Sequence, residues 1–313
     1  MLQRCLGWDY RSRCIYMVTL TAFEHRPIFG RLVGGEAKPE IRKSALGEIV
    51  ARCWAEIPKL YPGIELLEAV VMPDHFHGVL FVREEQEKPL GAIVGFLKAH
   101  STSLFLRSAS ASGQDKRAEV PFSAACGGHI WEPGYHDRIL FRRGQLARML
   151  DYVRDNPRRL AVKQAHPELF RVVRGLSLGG HSFSAIGNHF LLEQPVRTAI
   201  QCSRRISPEA LEKQKRDLLE AARNGAVLIS PCVSPGEKEI ARAALEAKLP
   251  LVVLLENGFP SIYKPPKRYF EACAEGRLLM LAPWAHHVEK RTITREQCLT
   301  LNAFAKQFAT NEE

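Results

Sequence analysis

The sequence predicts an α+β domain over residues 1–165 and an α/β domain over residues 186–313, joined by a linker over 166–185. Three observations carry this. In the first half, alternating β-branched and aromatic segments are interleaved with amphipathic helices and include a hairpin-like central pair. In the second half, short all-apolar segments are followed by a turn and a helix, the spacing of a βαβ unit. Between them the stretch RGLSLGGHS supplies glycines. A length of 313 residues also suits two domains of roughly 150 residues each.

Residues Cys14–Phe23 (CIYMVTLTAF) alternate as a strand does, and residues 40–57 carry apolar side chains at helical spacing. Ile64–Met72 and Val79–Val82 read as two strands flanking Pro73–Gly78, and Pro89–Leu106 as a second helix. The segment 107–128 is rich in Ser, Ala and Gly and is expected to be a surface loop. A third helix is expected from about Gly144 and is expected to stop at Asn156-Pro157, because the residue before a proline disfavours helical backbone. In the second half, Ser207–Asn224 is a helix with a Ser-Pro start, followed by the strand Ala226–Ser230. The helix Glu237–Ala247 and the strands Leu251–Leu255 and Arg277–Leu281 complete the pattern.

Lys and Arg outnumber Asp and Glu by 44 to 34, which favours polyanionic partners, nucleic acid first. The excess is +6 in residues 1–165 and +4 in the remainder, so it is not confined to a basic tail. No apolar run reaches the length of a membrane span, and the start lacks the apolar core of a signal peptide, so a soluble cytoplasmic protein is expected. Eight cysteines (5, 14, 53, 126, 202, 232, 273, 298) form no CxxC pair and are expected to be reduced thiols, not a disulfide framework or a zinc site.

The residues richest in chemistry are His75-Phe76-His77, in VVMPDHFHGVLFV. In a strand, His75 and His77 share a face and can hold one divalent ion, while an isolated H-x-H is also a common accident. Tyr152 and Asn156 lie four apart on one helix face. Tyr152 reads either as a nucleophile or as a core residue, and Asn156 either as an amide-oxygen ligand or as a helix cap. Arg138, Arg142, Arg143, Arg148, Arg158 and Arg159 flank this segment, and Lys98 lies on a neighbouring helix. They either track DNA phosphates or form a solvated face. Trp131 and Tyr135 either stack on unpaired bases or pack in the core.

Taken in order, HFH after a strand, WEPGYHDR at Trp131–Arg138 and DYVRDNPRR from Asp151 resemble the single-tyrosine HUH transposases, in their REP-associated tyrosine transposase branch. The opening Val18–Gly30 fits that family's first strand and turn, and the resemblance covers about residues 10–165. It implies a ferredoxin-like HUH domain, an antiparallel sheet with helices on one face. It implies His75, His77 and Asn156 as ligands of Mg²⁺ or Mn²⁺, and Tyr152 as the nucleophile. The implied activity is cleavage and transfer of single-stranded, hairpin-containing DNA through a 5′-phosphotyrosine. The protein would then be nucleoid-associated, and a monomer or a homodimer. The segment 107–128 and the C-terminal half depart from stand-alone members. A catalytically silent DNA-binding regulator, and a metal phosphohydrolase without a covalent step, are the alternative readings.

The C-terminal stretch GAVLISPCVSPGEKEIARAALEAKLPLVVLLENGF is similar, over perhaps 60 residues, to the Rossmann-like domain of DNA-processing proteins, and more distantly to lysine-decarboxylase-like proteins. Ser230, Ser234, Gly236 and Glu237 are the positions that resemblance connects to a ligand. With no GxGxxG and no P-loop, neither dinucleotide nor ATP use is expected.

Overall fold

The computed structural model describes residues 5, 7–111, 129–261, 263–289 and 291–310. It divides after Ala165 into two compact units. Most of the expected loop 107–128, with Cys126, lies outside the described residues.

In the first unit, strands β1 (Cys14–Thr21), β4 (Ile64–Val71), β5 (His75–Val82) and β6 (His136–Ile139) form an antiparallel sheet in the order β4-β5-β1-β6. Helix α1 (Ala45–Ala55), followed by the short α2 (Ile57–Leu60), joins β1 to β4, and α3 (Leu90–Ala111) joins β5 to β6. The connectivity is therefore β-α-β-β-α-β. A hairpin of β2 (Gly30–Val33) and β3 (Glu40–Lys43) is inserted before α1. Helix α4 (Gln145–Ala165) follows β6.

Strand alternation sorts the side chains between two faces. Tyr16, Val18 and Leu20 of β1 and Phe76, Leu80 and Val82 of β5 pack against α1 and α3 through Val50, Trp54, Leu90 and Leu97. Met17 and Val79 face the other way, against Met149 and Val153 of α4. Helices thus cover both faces, where the family resemblance implied one. Gly78 sits where the indole of Trp54 crosses β5, and a Cβ there would lie 2.5 Å from a ring carbon. Gly78→Ala is expected to destabilise the unit by about 1–3 kcal/mol through overpacking. Denaturant titration measures this, and an unchanged midpoint would contradict it.

Four expectations are corrected here. Residues 40–43 are strand, and the helix starts only after Ser44, whose hydroxyl accepts from the Gly47 N–H. The reason is local, because a Ser side chain satisfies an orphan amide only at a helix start. Helix α3 runs on through 107–111, into the segment expected to be loop. Helix α4 continues through Pro157 to Ala165, since Val153, Ala161 and Val162 keep one buried face and that burial outweighs the lost hydrogen bond. Residues 166–185 are not a linker. They form α5 (Pro167–Phe170), β7 (Val173–Leu178) and most of β8 (His181–Gly187). The glycines there are the two-residue hairpin turn, Gly179 and Gly180, with φ of +53° and +76°. A type I′ turn demands positive φ at both positions.

The second unit is a six-stranded mixed sheet in the order β7-β8-β12-β11-β10-β9. Strands β9 (Arg197–Ala199), β10 (Val227–Ser230), β11 (Leu251–Leu254) and β12 (Leu278–Ala282) are parallel, and β8 runs antiparallel to β12. Helices α6 (Pro208–Arg223), α7 (Pro235–Glu246) and α8 (Lys267–Ala274) pack on one face, through residues such as Leu218, Ile240 and Cys273. Helix α9 (Arg295–Ala309) packs on the other through Leu301, Phe304 and Phe308. Burial on both faces explains the all-apolar strands. The polar groups that the sequence connected to a ligand make hydrogen bonds within the turn. The Glu237 carboxylate accepts from the Val233 and Ser234 N–H groups at 2.8 Å, and the Ser234 hydroxyl accepts from the Glu237 N–H. The Ser230 hydroxyl accepts from the Cys232 N–H. This is a capping box that shapes the β10–α7 turn.

Candidate active site

The β1–β5 register sets Thr19 opposite His77 and Thr21 opposite His75. The HFH stretch is itself strand, since β5 begins at His75 and not at Val79. Both imidazoles therefore stand on the sheet face that carries α4, while Phe76 enters the opposite core against Trp54, centroids 5.0 Å apart. The two histidine rings lie 4.6 Å apart at 74°. Tyr152, on α4, brings its ring to 5.7 Å from His77.

Each histidine is oriented from behind. His75 Nδ1 lies 2.7 Å from Asp74 Oδ1, and His77 Nδ1 lies 2.8 Å from Thr19 Oγ1. With both Nδ1 atoms engaged, Nε2 is the nitrogen through which each ring could meet a metal. His75 Nε2 is buried and has no hydrogen-bond partner among the described residues. A buried, unsatisfied imidazole nitrogen is costly, and a bound cation is one way to satisfy it. Burial pushes the Asp74 carboxyl up, but the His75 hydrogen bond and the charges of His75 and His25 together hold it below the usual carboxylate range. The turn carrying Asp74 is bolted to the exit of β1: Asp74 O accepts from the Ala22 N–H at 2.8 Å, and Pro73 O from the Phe29 N–H at 2.9 Å.

Asn156 is buried, and its Nδ2 donates to the Tyr152 carbonyl at 2.7 Å. One of its two amide N–H groups is thereby used within the helix, and the amide oxygen is the atom that could meet a cation. Arg159 is only 7% exposed and its guanidinium carbon lies 5.8 Å from the centre of the Tyr152 ring. It is a cation held against the tyrosine, not a solvated one.

The other expected DNA-binding residues divide. Arg138 is exposed on β6 opposite Met17, so it shares the sheet face of the two histidines. Arg142, Arg143 and Arg148 are exposed. Arg158 is paired with Asp155 at 2.6 Å. Lys98 is not placed to track phosphates: its ammonium donates to the main-chain carbonyls of Glu132, at 2.6 Å, and Gly134. Burial also holds it below the usual lysine range. Trp131 and Tyr135 are 8% and 5% exposed and belong to the core beside Phe29, so neither offers a ring face to a base.

Sequence reasoning missed Thr19, Asp74 and His136. Asp74 was legible as the residue next to His75. Thr19 and His136 emerge only from strand register, which places both in one lateral row with His77.

No family model matches the chain. An uncharacterised protein of Haemophilus influenzae is 24% identical over 165 residues, covering 49% of this chain and 86% of that protein. Among solved structures, a REP-associated tyrosine transposase bound to a REP hairpin is similar at a TM-score of 0.33 and 14% identity, covering 50% of this chain and 71% of that one. A Deinococcus radiodurans protein provisionally described as a transposase is similar at a TM-score of 0.29 and 16% identity, covering 49% and 96%. DNA processing protein A of Helicobacter pylori, studied for its single-stranded DNA binding, is similar at a TM-score of 0.34 and 17% identity, covering 45% and 66%. The structural neighbours thus include transposase-like and DNA-processing proteins, at low similarity. The functional reading rests on the side chains described above.

Proposed function

We propose that the first unit is a metal-dependent single-strand DNA endonuclease and strand transferase of the HUH type, with Tyr152 as nucleophile. The observation that carries this is the meeting of His75, His77 and Tyr152 on one sheet face, reached from two elements far apart in sequence. The β-α-β-β-α-β connectivity and the resemblance of HFH, WEPGYHDR and DYVRDNPRR support the same reading, with the sheet taken as ferredoxin-like.

His75 and His77, through Nε2, and Asn156, through its amide oxygen, would hold the metal, and this donor set suits Mg²⁺ or Mn²⁺, with the imidazoles favouring Mn²⁺. When bound, such an ion offsets the negative charge that develops on the scissile phosphate. Tyr152 supplies the attacking oxygen, forming an O–P bond to the 5′ side while the bond from phosphorus to the 3′ oxygen breaks. The phenol proton passes to solvent, and the departing 3′ oxygen takes one up. One phosphodiester is exchanged for another, so the joint can be resealed without ATP. Arg159 holds the ring of Tyr152 from one side and contributes positive charge where phosphate charge gathers. Arg138, Arg142, Arg143 and Arg148, all exposed, would meet the strand's phosphates.

The test is a denaturing gel of the protein with end-labelled single-stranded hairpin DNA, in Mn²⁺, Mg²⁺ or chelator. A metal-dependent band at the mass of protein plus DNA is the expected result. Binding without cutting would replace the proposal with a DNA-binding regulator, and cutting without an adduct would replace it with a metal phosphohydrolase.

A further inference from the structure

A second set of metal-ligating side chains lies in the first unit, among α1 and α3. Cys53 on α1, Glu56 at its C-terminal cap and His100 on α3 bring one donor atom each to within 4.8 Å of the others. The helix spacing explains the first pair, since positions three apart share a face. His100 reaches that face from the neighbouring helix, and its ring is held by parallel stacking on Phe96, centroids 5.0 Å apart at 17°. Its Nε2 lies 3.6 Å from Glu56 Oε2.

These separations are close to what a tetrahedral ion requires. Two bonds of about 2.0 Å at the tetrahedral angle place N and O donors about 3.3 Å apart, and a thiolate at about 2.3 Å stands about 3.5 Å from either. The His–Glu pair needs to close by roughly 0.3 Å, and the sulfur by at most about 1.3 Å. The thiol is buried, while Glu56 and His100 side chains are 34% and 32% exposed, so the three donors open to solvent on one side only. That leaves a way in for the ion from the Glu56 and His100 side. One sulfur, one imidazole and one carboxylate together select a borderline-soft ion over Mg²⁺ or Mn²⁺.

We infer that Cys53, Glu56 and His100 form a zinc-type site that braces α1 against α3, separate in location and in metal preference from the histidine pair on β5. Binding exchanges the thiol proton for the ion and releases it to solvent. CxxC arithmetic overlooks such a site, because its ligands come from two helices.

Titration of the full-length protein with Co²⁺ tests this, since a thiolate ligand adds a sulfur-to-cobalt charge-transfer band that nitrogen and oxygen donors lack. The expected result is one equivalent showing that band, displaced by Zn²⁺, with Zn²⁺ raising the melting temperature. His100→Gln and Glu56→Gln leave the core intact and are expected to weaken Co²⁺ binding by more than about tenfold, while Cys53→Ala removes the band. The His75→Ala/His77→Ala variant is expected to keep it. Absence of the band in the wild type, its persistence in Cys53→Ala, unchanged affinity in both Gln variants, or its loss in the double His variant would each overturn the inference.

Discussion

Tyr152→Phe is expected to abolish the protein–DNA adduct, lowering the rate of covalent capture by at least about 10³-fold. The substitution removes one oxygen and leaves the ring. That ring packs 5.7 Å from His77 and beneath the Arg159 guanidinium, so the helix face it completes is preserved. Folding stability is expected to change by less than about 0.5 kcal/mol, as for a partly exposed side chain whose shape is unchanged. The two readouts separate chemistry from structure. Loss of adduct with an unchanged melting temperature is the signature of a nucleophile, and an adduct that forms at the wild-type rate rules Tyr152 out of the reaction. Metal affinity serves as an internal control, because the phenol is not among the proposed ligands.

The pattern of the chain made some of this architecture legible and hid the rest for identifiable reasons. Strands buried on one or both faces announce themselves through side-chain periodicity, and β1, β4, β10 and β11 lie close to their expected bounds. Helix α4 overran its expected stop because the local penalty of Pro157 was weighed without the tertiary burial of Ala161 and Val162. The β7–β8 hairpin stands where a linker is expected, because Gly-Gly suits a linker and equally a tight turn between strands. At the site, spacing alone places His75 with His77 and Tyr152 with Asn156, one pair by strand period and the other by helix period. Bringing Tyr152 to His77 depends on α4 crossing the sheet face of β5, which no local pattern encodes. Composition misled most for the aromatics and for Lys98. Trp131, Tyr135 and Lys98 have the residue types of a nucleic-acid surface, yet Trp131 is held by Phe29 and Ser101, Lys98 by two main-chain carbonyls, and Tyr135 is buried in the core.

The supporting shell of the histidines yields the second large effect. Thr19→Val and Asp74→Asn are each expected to weaken Mn²⁺ binding by about 10- to 100-fold, the range typical when the group orienting a ligand histidine is altered. The two act by different routes. Valine keeps the shape of Thr19 but removes the hydroxyl that holds His77 Nδ1 at 2.8 Å, so the ring loses what fixes its tautomer. Asparagine keeps a hydrogen-bonding side chain beside His75 Nδ1 but removes the charge that makes the imidazole a stronger donor toward a cation. Isothermal titration with Mn²⁺ measures both, and the melting temperature of the metal-free proteins shows whether the fold has changed. If the two histidines share one ion, the double variant is expected to lose more affinity than either single variant, with a coupling term, since its groups act on the same bound species. If Mn²⁺ affinity is untouched in both single variants, these contacts serve the fold alone, and the assignment of His75 and His77 as ligands through Nε2 falls with them.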